Sequence, residues 1–316
     1  QPLYYWPYQR RATPCCTAAP SRSRCARSCA RAVLSIQALR RMALPEVPGF
    51  NVVRKIGTGS YGDVHEAHKI GGGALVAVKS VNKALLRQPG MIDRLVKEIE
   101  IQSQLRHPNV VSLLEYFEDD GHVYLATELC EGGELLTHLQ ARGRLPAHEA
   151  APLFRQLVEA VAYLHSNGVM HRDLKLANVL LASEGLVKLC DFGLASVLDS
   201  SDAERHTICG TPNYLSPELV AYAPYTMATD LWSLGVVLFA LLVGRPPFQS
   251  ATVQETLRLV GLAEYEIPPG MDPAAADLVR ALLQRDPKKR MPLARVLEHQ
   301  FLAPALPGGG CLVSGG

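Results

Sequence analysis

The first part of the chain carries its apolar residues in short runs of the kind that form β-strands. Residues 50–56, 64–70 and 75–79 are short runs rich in β-branched residues, and three consecutive glycines at 71–73 separate the last two. Two such runs joined by glycines predict a hairpin. Residues 123–127 form a further run of this kind. We therefore predict an antiparallel sheet at the start of the folded body.

Helical spacing replaces this pattern further along the chain. Residues 91–105 place apolar side chains three and four positions apart, which predicts one helix after the first strands. From residue 134 onward most apolar residues keep this spacing, and residues 230–243 are apolar nearly all round, as expected of a core helix. The predicted fold class is α+β, with a small β-rich lobe over residues 46–129 and a larger, mainly helical lobe over residues 130–303.

The two ends of the chain differ from this body. Residues 1–45 contain eight arginines and no acidic residue, a composition shared by disordered basic tails and by organelle targeting segments. Because the first methionine is Met42, this leader also fits sequence upstream of a translation start. Residues 304–316 are rich in glycine, and we expect a flexible tail there.

Composition and charge disfavour several classes of protein. The chain has 316 residues, 48% of them hydrophobic, and none of its apolar runs reaches the roughly 18 residues of a membrane helix. Without the leader, 24 basic and 30 acidic residues remain, and this negative balance gives no reason to expect nucleic-acid binding. The eight cysteines lack the paired spacing of zinc sites, so reduced thiols and a cytoplasmic location are expected.

A glycine-rich segment lies between the first two predicted strands. Gly57, Gly59 and Gly62 would let backbone N–H groups approach phosphate oxygens, because no β-carbon intervenes. In a dinucleotide-binding fold the third glycine opens a helix, whereas here a strand follows; a plain glycine-rich hairpin is the other alternative. The residues predicted to bind nucleotide in this part of the chain are Ile56, Gly57, Thr58, Gly59, Ser60, Tyr61, Gly62, Val64, Ala77 and Lys79.

Lys79 lies in an otherwise apolar strand, where an unpaired ammonium group would be costly to desolvate. Glu98, on the following predicted helix, is its candidate partner. Such a pair would hold the lysine against the α- and β-phosphates of a nucleotide. The alternative is a lysine that reaches solvent at a strand end and a glutamate on a solvated helix face.

Two polar motifs carry the decisive signal. Residues 171–178 read His-Arg-Asp-Leu-Lys-Leu-Ala-Asn, and Asp191 follows Asp173 by 18 residues within Asp-Phe-Gly. Phosphoryl transfer requires a carboxylate that orients the incoming hydroxyl, which fits Asp173. Asn178 and Asp191 are the predicted Mg²⁺ ligands, since this ion takes oxygen ligands. Lys175 would neutralise charge on the γ-phosphate. The predicted cofactors are therefore ATP and Mg²⁺.

With these motifs the chain resembles the eukaryotic protein kinases over residues 50–302. The resemblance implies a bilobal fold and extends to later landmarks: Glu218 with Arg290, and Asp230 in the helix that braces the catalytic loop. It also implies a hinge that binds adenine and ribose between the lobes, with Thr127 as gatekeeper. The hinge residues assigned to nucleotide binding are Thr127, Glu128, Cys130 and Glu134.

Lys175 and residues 210–214 are similar to the serine/threonine branch of the family. The resemblance implies that Thr211 hydrogen-bonds near Asp173 and Lys175 in the substrate platform. It also implies that Arg172 anchors a phosphate on the activation loop, and Thr207 is the predicted phosphorylation site, modified by an upstream kinase or by the protein itself. The expected partners are protein substrates that carry serine or threonine.

Within that branch, residues 116–119, 206–218, 242–248 and 252–268 are similar to the polo-like kinases, and among them to the fourth type. Gln102, one turn after the predicted lysine partner, is compatible with that group. Gly62 departs from it, because polo-like kinases usually carry alanine there, and polo boxes are absent from these 316 residues. A role in centriole duplication or the cell cycle, and a centriole or centrosome location, are implied by this resemblance.

Three alternatives remain beside this interpretation. A calcium/calmodulin-type or related serine/threonine kinase is the main rival within the family. A pseudokinase that only binds partners is disfavoured because the lysine, glutamate, base and both predicted metal ligands are all present. A nucleotide-dependent metabolic enzyme is disfavoured because the glycine segment leads into a strand.

Overall fold

The small lobe is built around an antiparallel sheet. A computed structural model of the chain describes residues 44–59, 62–197 and 211–303. Five strands pair in the order β1-β2-β3-β5-β4. They are β1 (Phe50–Gly59), β2 (Gly62–Lys69), β3 (Leu75–Asn82), β4 (Leu113–Glu118) and β5 (His122–Glu128).

The predicted hairpin connects β2 and β3. Gly71, Gly72 and Gly73 all have positive φ angles, which residues with a β-carbon rarely adopt. Strand β4 was not predicted from the sequence. Its Leu114 and Tyr116 are exposed. Because apolar residues occupy these solvent-facing positions, the sequence lacks the alternation of apolar and polar residues that marks a strand with one solvated face.

The helix over residues 91–105 is present as α2 (Met91–Gln104), after a short α1 (Lys83–Leu86). Its buried face consists of Leu95, Glu98, Ile101 and Gln102. Two of these four side chains are polar, and Gln102 donates a hydrogen bond to the carbonyl oxygen of Val111 at 3.0 Å. Ile92, which the apolar spacing placed on the same face, is exposed.

The large lobe is mainly helical. Helix α6 is the predicted core helix, since every residue from Thr229 to Leu241 is buried. Its helices are α3 (Leu135–Arg142), α4 (Ala147–Ser166), α5 (Pro217–Val220), α6 (Ala228–Val243), α7 (Val253–Leu262), α8 (Pro273–Leu282) and α9 (Leu293–Leu297). Its short strands are β6 (Gly133–Glu134), β7 (Val169–Met170), β8 (Val179–Leu181), β9 (Val187–Leu189) and β10 (Ser196–Val197).

The α+β fold with two lobes is confirmed, and the predicted boundary at residue 130 falls between β5 and β6. None of the helices in the described ranges combines the length and apolar character needed to cross a bilayer. The predicted leader and tail lie almost wholly outside the described residues.

Candidate active site

A buried aspartate on the core helix fixes the segment that carries Asp173. Asp230 accepts hydrogen bonds from the backbone N–H groups of His171 and Arg172, both at 3.0 Å, and its carboxylate lies 2.8 Å from the ring of His165. Burial would raise the pKa of Asp230, but the hydrogen bonds from His165 and from the backbone N–H of His171 leave it below its ordinary range. The carboxylate is therefore ionised, and it ties the segment to α6.

Two residues of the site have strained backbones. Arg172 and Asp191 have φ angles of 64° and 65°, in the left-handed region that residues with a β-carbon seldom occupy. Such conformations persist only where surrounding contacts impose them, and they cluster at functional sites. Here one of them immediately precedes the predicted base Asp173, and the other is the predicted metal ligand Asp191 itself.

Asp173 is buried and has one carboxylate oxygen left for a substrate. Its Oδ2 accepts hydrogen bonds from Lys175 Nζ at 2.5 Å and from Asn178 Nδ2 at 3.1 Å. Its Oδ1 is buried and has no hydrogen-bond partner among the described residues. A buried acceptor without a partner is costly in a native structure. The arrangement suits an oxygen that accepts the proton of an incoming hydroxyl.

Asn178 and Asp191 offer oxygens that fit Mg²⁺. Asn178 uses its Nδ2 to bond the backbone oxygen of Asp173 at 2.9 Å, which leaves its Oδ1 to face a ligand. Asp191 Oδ1 accepts a long bond, 3.3 Å, from the N–H of Gly193. No cluster of three His, Cys, Asp or Glu side chains that could hold a metal occurs in the described ranges. Mg²⁺ at phosphoryl-transfer sites needs few protein ligands, since substrate phosphates and water complete its shell.

The structure brings Lys79 and Glu98 together, with Nζ of the lysine 2.6 Å from Oε1 of the glutamate. Glu98 is almost fully buried. Burial raises its pKa, the charge of Lys79 opposes this, and the nearby Asp191 raises it further, so the pKa lies above the ordinary range. The three side chains thus form one electrostatic group, in which Lys79 is the cation.

The glycine segment forms the end of the β1–β2 pair, where Gly59 is opposite Gly62. A β-carbon at Gly62 would lie 1.7 Å from the carbonyl oxygen of Ser80 on β3. Alanine, usual at this position in polo-like kinases, would therefore require β3 to move. Ser60 and Tyr61 lie outside the described residues.

The comparisons with known proteins agree with this geometry. The family model of the protein kinase domain matches residues 50–302. The chain belongs to the protein kinase family. Members of this family generally use ATP and Mg²⁺, in accord with the oxygens that Asn178 and Asp191 present.

The kinase is also similar to individual curated proteins. It is 42% identical over 257 residues to serine/threonine-protein kinase PLK4 of Nematostella vectensis, a match that covers 81% of this chain and 26% of the relative. The same name belongs to a relative from Aedes aegypti, 40% identical over 274 residues, with coverages of 85% and 36%. The resemblance to the polo-like kinases is thereby confirmed. The kinase spans about a quarter to a third of the length of these relatives.

The predicted hinge of the kinase begins with the last two residues of strand β5. Thr127 is opposite Ala77 in the β3–β5 pair, and its Oγ1 lies 3.4 Å from the Ala77 carbonyl oxygen. Glu134 is exposed at the start of α3. Burial raises the pKa of the Cys130 thiol to about 11. The Cys130 thiol is therefore protonated near pH 7.

Sequence reasoning missed Lys188, which ties the hinge to the segment before Asp191. Its Nζ lies 2.9 Å from Oε2 of Glu128 and donates to the carbonyl oxygen of Pro108 at 2.8 Å. The Glu128 carboxylate also accepts the backbone N–H of Ser112 at 2.7 Å. The Glu128 side chain is thus committed to structure, and its backbone N–H donates to the carbonyl oxygen of Ser112 at 3.1 Å, so an adenine contact by this residue stays a prediction.

Arg172, the predicted phosphate anchor, has a second partner that the sequence did not indicate. Its Nη1 donates to the hydroxyl of Tyr225 at 2.6 Å, and its Nε donates to the carbonyl oxygen of Leu194 at 2.5 Å. Thr207 lies outside the described residues. Within the described ranges, the side chain of Thr211 makes no hydrogen bond to Asp173 or Lys175, so its contact near them stays a prediction.

We expect the Tyr225→Phe kinase to be less stable by about 1.5–3 kcal/mol, the usual worth of a hydrogen bond to a charged group. The ring of Tyr225 is buried against Leu215 and Leu219, and phenylalanine preserves that packing. Urea unfolding measures the change. The control is Tyr222→Phe, which removes the hydroxyl of an exposed tyrosine and should leave stability unchanged; equal effects of the two substitutions would refute the role of Tyr225.

Proposed function

We propose that this chain is an ATP-dependent kinase that transfers the γ-phosphate of ATP to serine or threonine hydroxyls of proteins. The observation that carries the proposal is Oδ1 of buried Asp173, which has no partner among the described residues, while Lys175 Nζ lies 2.5 Å from the other carboxylate oxygen. A buried acceptor of this kind requires an explanation in a native structure, and contact with the hydroxyl of a substrate supplies one.

Each residue of the site has a role in this reaction. Asp173 orients the substrate hydroxyl and accepts its proton as the new P–O bond forms and the bond from the γ-phosphorus to ADP breaks. Lys175 and Lys79 compensate the negative charge of the phosphates. Asn178 and Asp191 hold Mg²⁺, which supplies further positive charge when bound.

The test is incorporation of labelled phosphate from γ-labelled ATP into a generic protein substrate, followed by identification of the modified amino acids. The proposal expects phosphoserine and phosphothreonine. Nucleotide binding without any incorporation, after treatment with activating kinases, would instead establish a scaffold. Phosphotyrosine as the main product would refute the serine/threonine assignment.

The finer biological role belongs to the same proposal. A function in centriole duplication, with a centriole or centrosome location, is supported by the similarity to relatives named PLK4. Localisation of the full-length protein in dividing cells tests it, and a location unrelated to centrioles would contradict it.

The predicted lobes, residues 46–129 and 130–303, are the units that we expect to close around ATP.

We further propose that phosphorylation of Thr207 activates the kinase through Arg172. Both protons on Nη2 of Arg172 have no partner in the described ranges, since the bonds to Tyr225 and Leu194 use Nη1 and Nε. Thr207→Ala should lower activity several-fold, whereas Ser201→Ala should have little effect. Full activity of Thr207→Ala would overturn the proposal, and phosphate on Thr207 of an inactive variant would assign the modification to an upstream kinase.

A further inference from the structure

A basic region interrupts the otherwise acidic body of the kinase. Between positions 280 and 298 there are six basic and two acidic residues, whereas the rest of the body holds 18 basic and 28 acidic ones. The region lies in the large lobe, from the end of α8 to the segment after α9. It plays no part in the reaction described above. A local excess of one sign of charge raises the local concentration of ligands of the opposite sign.

Four of these cations meet in one surface cavity of about 640 Å³. Lys288, Lys289, Arg290 and Arg295 line it together with Glu298. Lys288 and Lys289 are exposed and form no ion pair with any described residue. Their charges are therefore available to a ligand.

The other two cations are already engaged to different degrees. Arg290 is buried and makes a bidentate pair with Glu218, with N–O distances of 2.7 and 2.6 Å. Arg295 pairs with Glu298 at 3.1 Å, but both side chains are largely exposed, and such pairs are weak. Arg295 can therefore exchange its partner for a carboxylate or phosphate of a ligand, whereas Arg290 cannot.

The backbone that carries the lysines is held in place. Asp286 caps the short helical turn Pro287–Lys289 by accepting the N–H of Lys288 at 3.0 Å. Met291 donates its N–H to the carbonyl oxygen of Ala281 in α8 at 2.9 Å. Because these bonds involve the backbone, the cavity is preformed, and substitution of the lysine side chains leaves its frame intact.

We propose that this cavity binds an acidic peptide segment of a protein partner, rich in aspartate, glutamate or phosphorylated residues. Met291 and Pro292 also line the cavity and offer apolar surface for the aliphatic parts of a peptide. A nucleic acid fits less well, because Glu298 interrupts the cations and would repel the repeated phosphates of a strand. The site lets the kinase hold a partner at a distance from its active site.

Binding to the whole 316-residue chain tests this proposal without reference to catalysis. The probe is a fluorescent peptide of alternating glutamate and glycine, and the matched probe carries glutamine for glutamate. Fluorescence anisotropy should show binding of the acidic peptide only, with an affinity that falls as salt is added. Lys288→Ala with Lys289→Ala should weaken it by roughly tenfold, as expected for the loss of two ion pairs near the surface.

Two further variants make the test specific. Arg87→Ala with Arg94→Ala removes two exposed cations of the small lobe that have no ion pair among the described residues, and it should bind as wild type does. Lys288→Glu with Lys289→Glu should lose the acidic peptide and gain a peptide of alternating lysine and glycine. Unchanged thermal unfolding verifies that each variant is folded.

Three outcomes would overturn the proposal. In the first, the acidic peptide binds the lysine variants as tightly as it binds wild type. In the second, the small-lobe control loses as much affinity for the acidic peptide as the lysine variants do. A single-stranded oligonucleotide could bind more tightly than the peptide and depend on the same lysines, which would assign the cavity to nucleic acid. The proposed catalytic function is unaffected by any of these results, since no ATP is present.

Discussion

The Asp173→Asn kinase should fold as wild type does and transfer phosphate at least about a hundredfold more slowly, since a positioned general base contributes roughly 10²–10⁴ in rate. An amide keeps the size of the carboxylate but accepts no proton from the incoming hydroxyl. Its single oxygen must also serve both Lys175 Nζ and Asn178 Nδ2, which now share Oδ2. The rate of labelled phosphate incorporation at saturating ATP measures the loss.

The control for this substitution is Asp120→Asn, which makes the same chemical change at an exposed position of the small lobe. Its rate should equal that of wild type. ATP binding by Asp173→Asn should be close to normal, because no nucleotide contact is assigned to Asp173. Undiminished phosphate transfer by this variant would contradict the role of Asp173 as the base.

The Arg290→Met kinase should lose about 3–5 kcal/mol of unfolding free energy, the usual cost of leaving one partner of a buried ion pair alone. Arg290 and Glu218 are both almost fully buried. The arginine also donates to the carbonyl oxygens of Gln284 and Ala228, at 3.0 and 2.7 Å. Chemical denaturation measures the change, and Arg258→Met, which breaks an exposed pair with Glu255, should change little.

The loss of unfolding free energy in Arg290→Met should depend on pH. Burial raises the pKa of Glu218, but the hydrogen bonds and charge of Arg290 reverse this and leave it below the ordinary range. A lowered pKa stabilises the wild-type fold above the pKa of the unfolded chain, and this contribution disappears as pH falls through the folded-state value. In Arg290→Met burial still raises the pKa of Glu218, and only hydrogen bonds such as that from Thr229 oppose it, so the protonated form of Glu218 is more favoured than in wild type.

The difference in stability between wild type and Arg290→Met should therefore narrow on acidification. A second variant separates the ion pair from packing: Glu218→Leu with Arg290→Met removes both charges and should recover most of the loss. A difference that widens at low pH would contradict the assignment to Glu218. A double variant that is no more stable than Arg290→Met would also contradict this assignment.

The strands and the catalytic segment could be predicted because their signals are local. Residues 50–56 and 64–70 contain the β-branched residues that favour strands, and Asp173 and Asn178 have a spacing that the chemistry requires. Strand β4 could not be predicted in the same way, because Leu114 and Tyr116 point to solvent. Its position at the sheet edge follows from pairing with β5, and that pairing is visible only in the tertiary structure.

The acidic partner of Lys79 was predicted from the sequence, whereas that of Lys188 was not. Both lysines lie in otherwise apolar strands and therefore need a partner. For Lys79 the reasoning led to Glu98, 19 residues away, and the two side chains are in contact. For Lys188 the same signal was present, and its partner Glu128 lies 60 residues away.

Tyr225 had no signal in the sequence at all. It lies 53 residues from Arg172, in a segment without motif or periodicity. A hydroxyl can bond almost any polar group, so only the packed structure selects its partner. The same holds for the basic cavity, where the sequence shows the charges but the fold shows that they line one space.

The amino-acid sequence by itself determined the resemblance of this chain to the protein kinase family and the positions of its predicted base and metal ligands, because phosphoryl transfer restricts residue types at short spacing. The tertiary structure alone decided that Oδ1 of Asp173 has no partner among the described residues, that Lys188 ties the predicted hinge to β9, and that Tyr225 contacts Arg172. These are contacts between distant segments. They depend on which side chains the packing of two lobes brings within a few ångströms, and local patterns do not encode that.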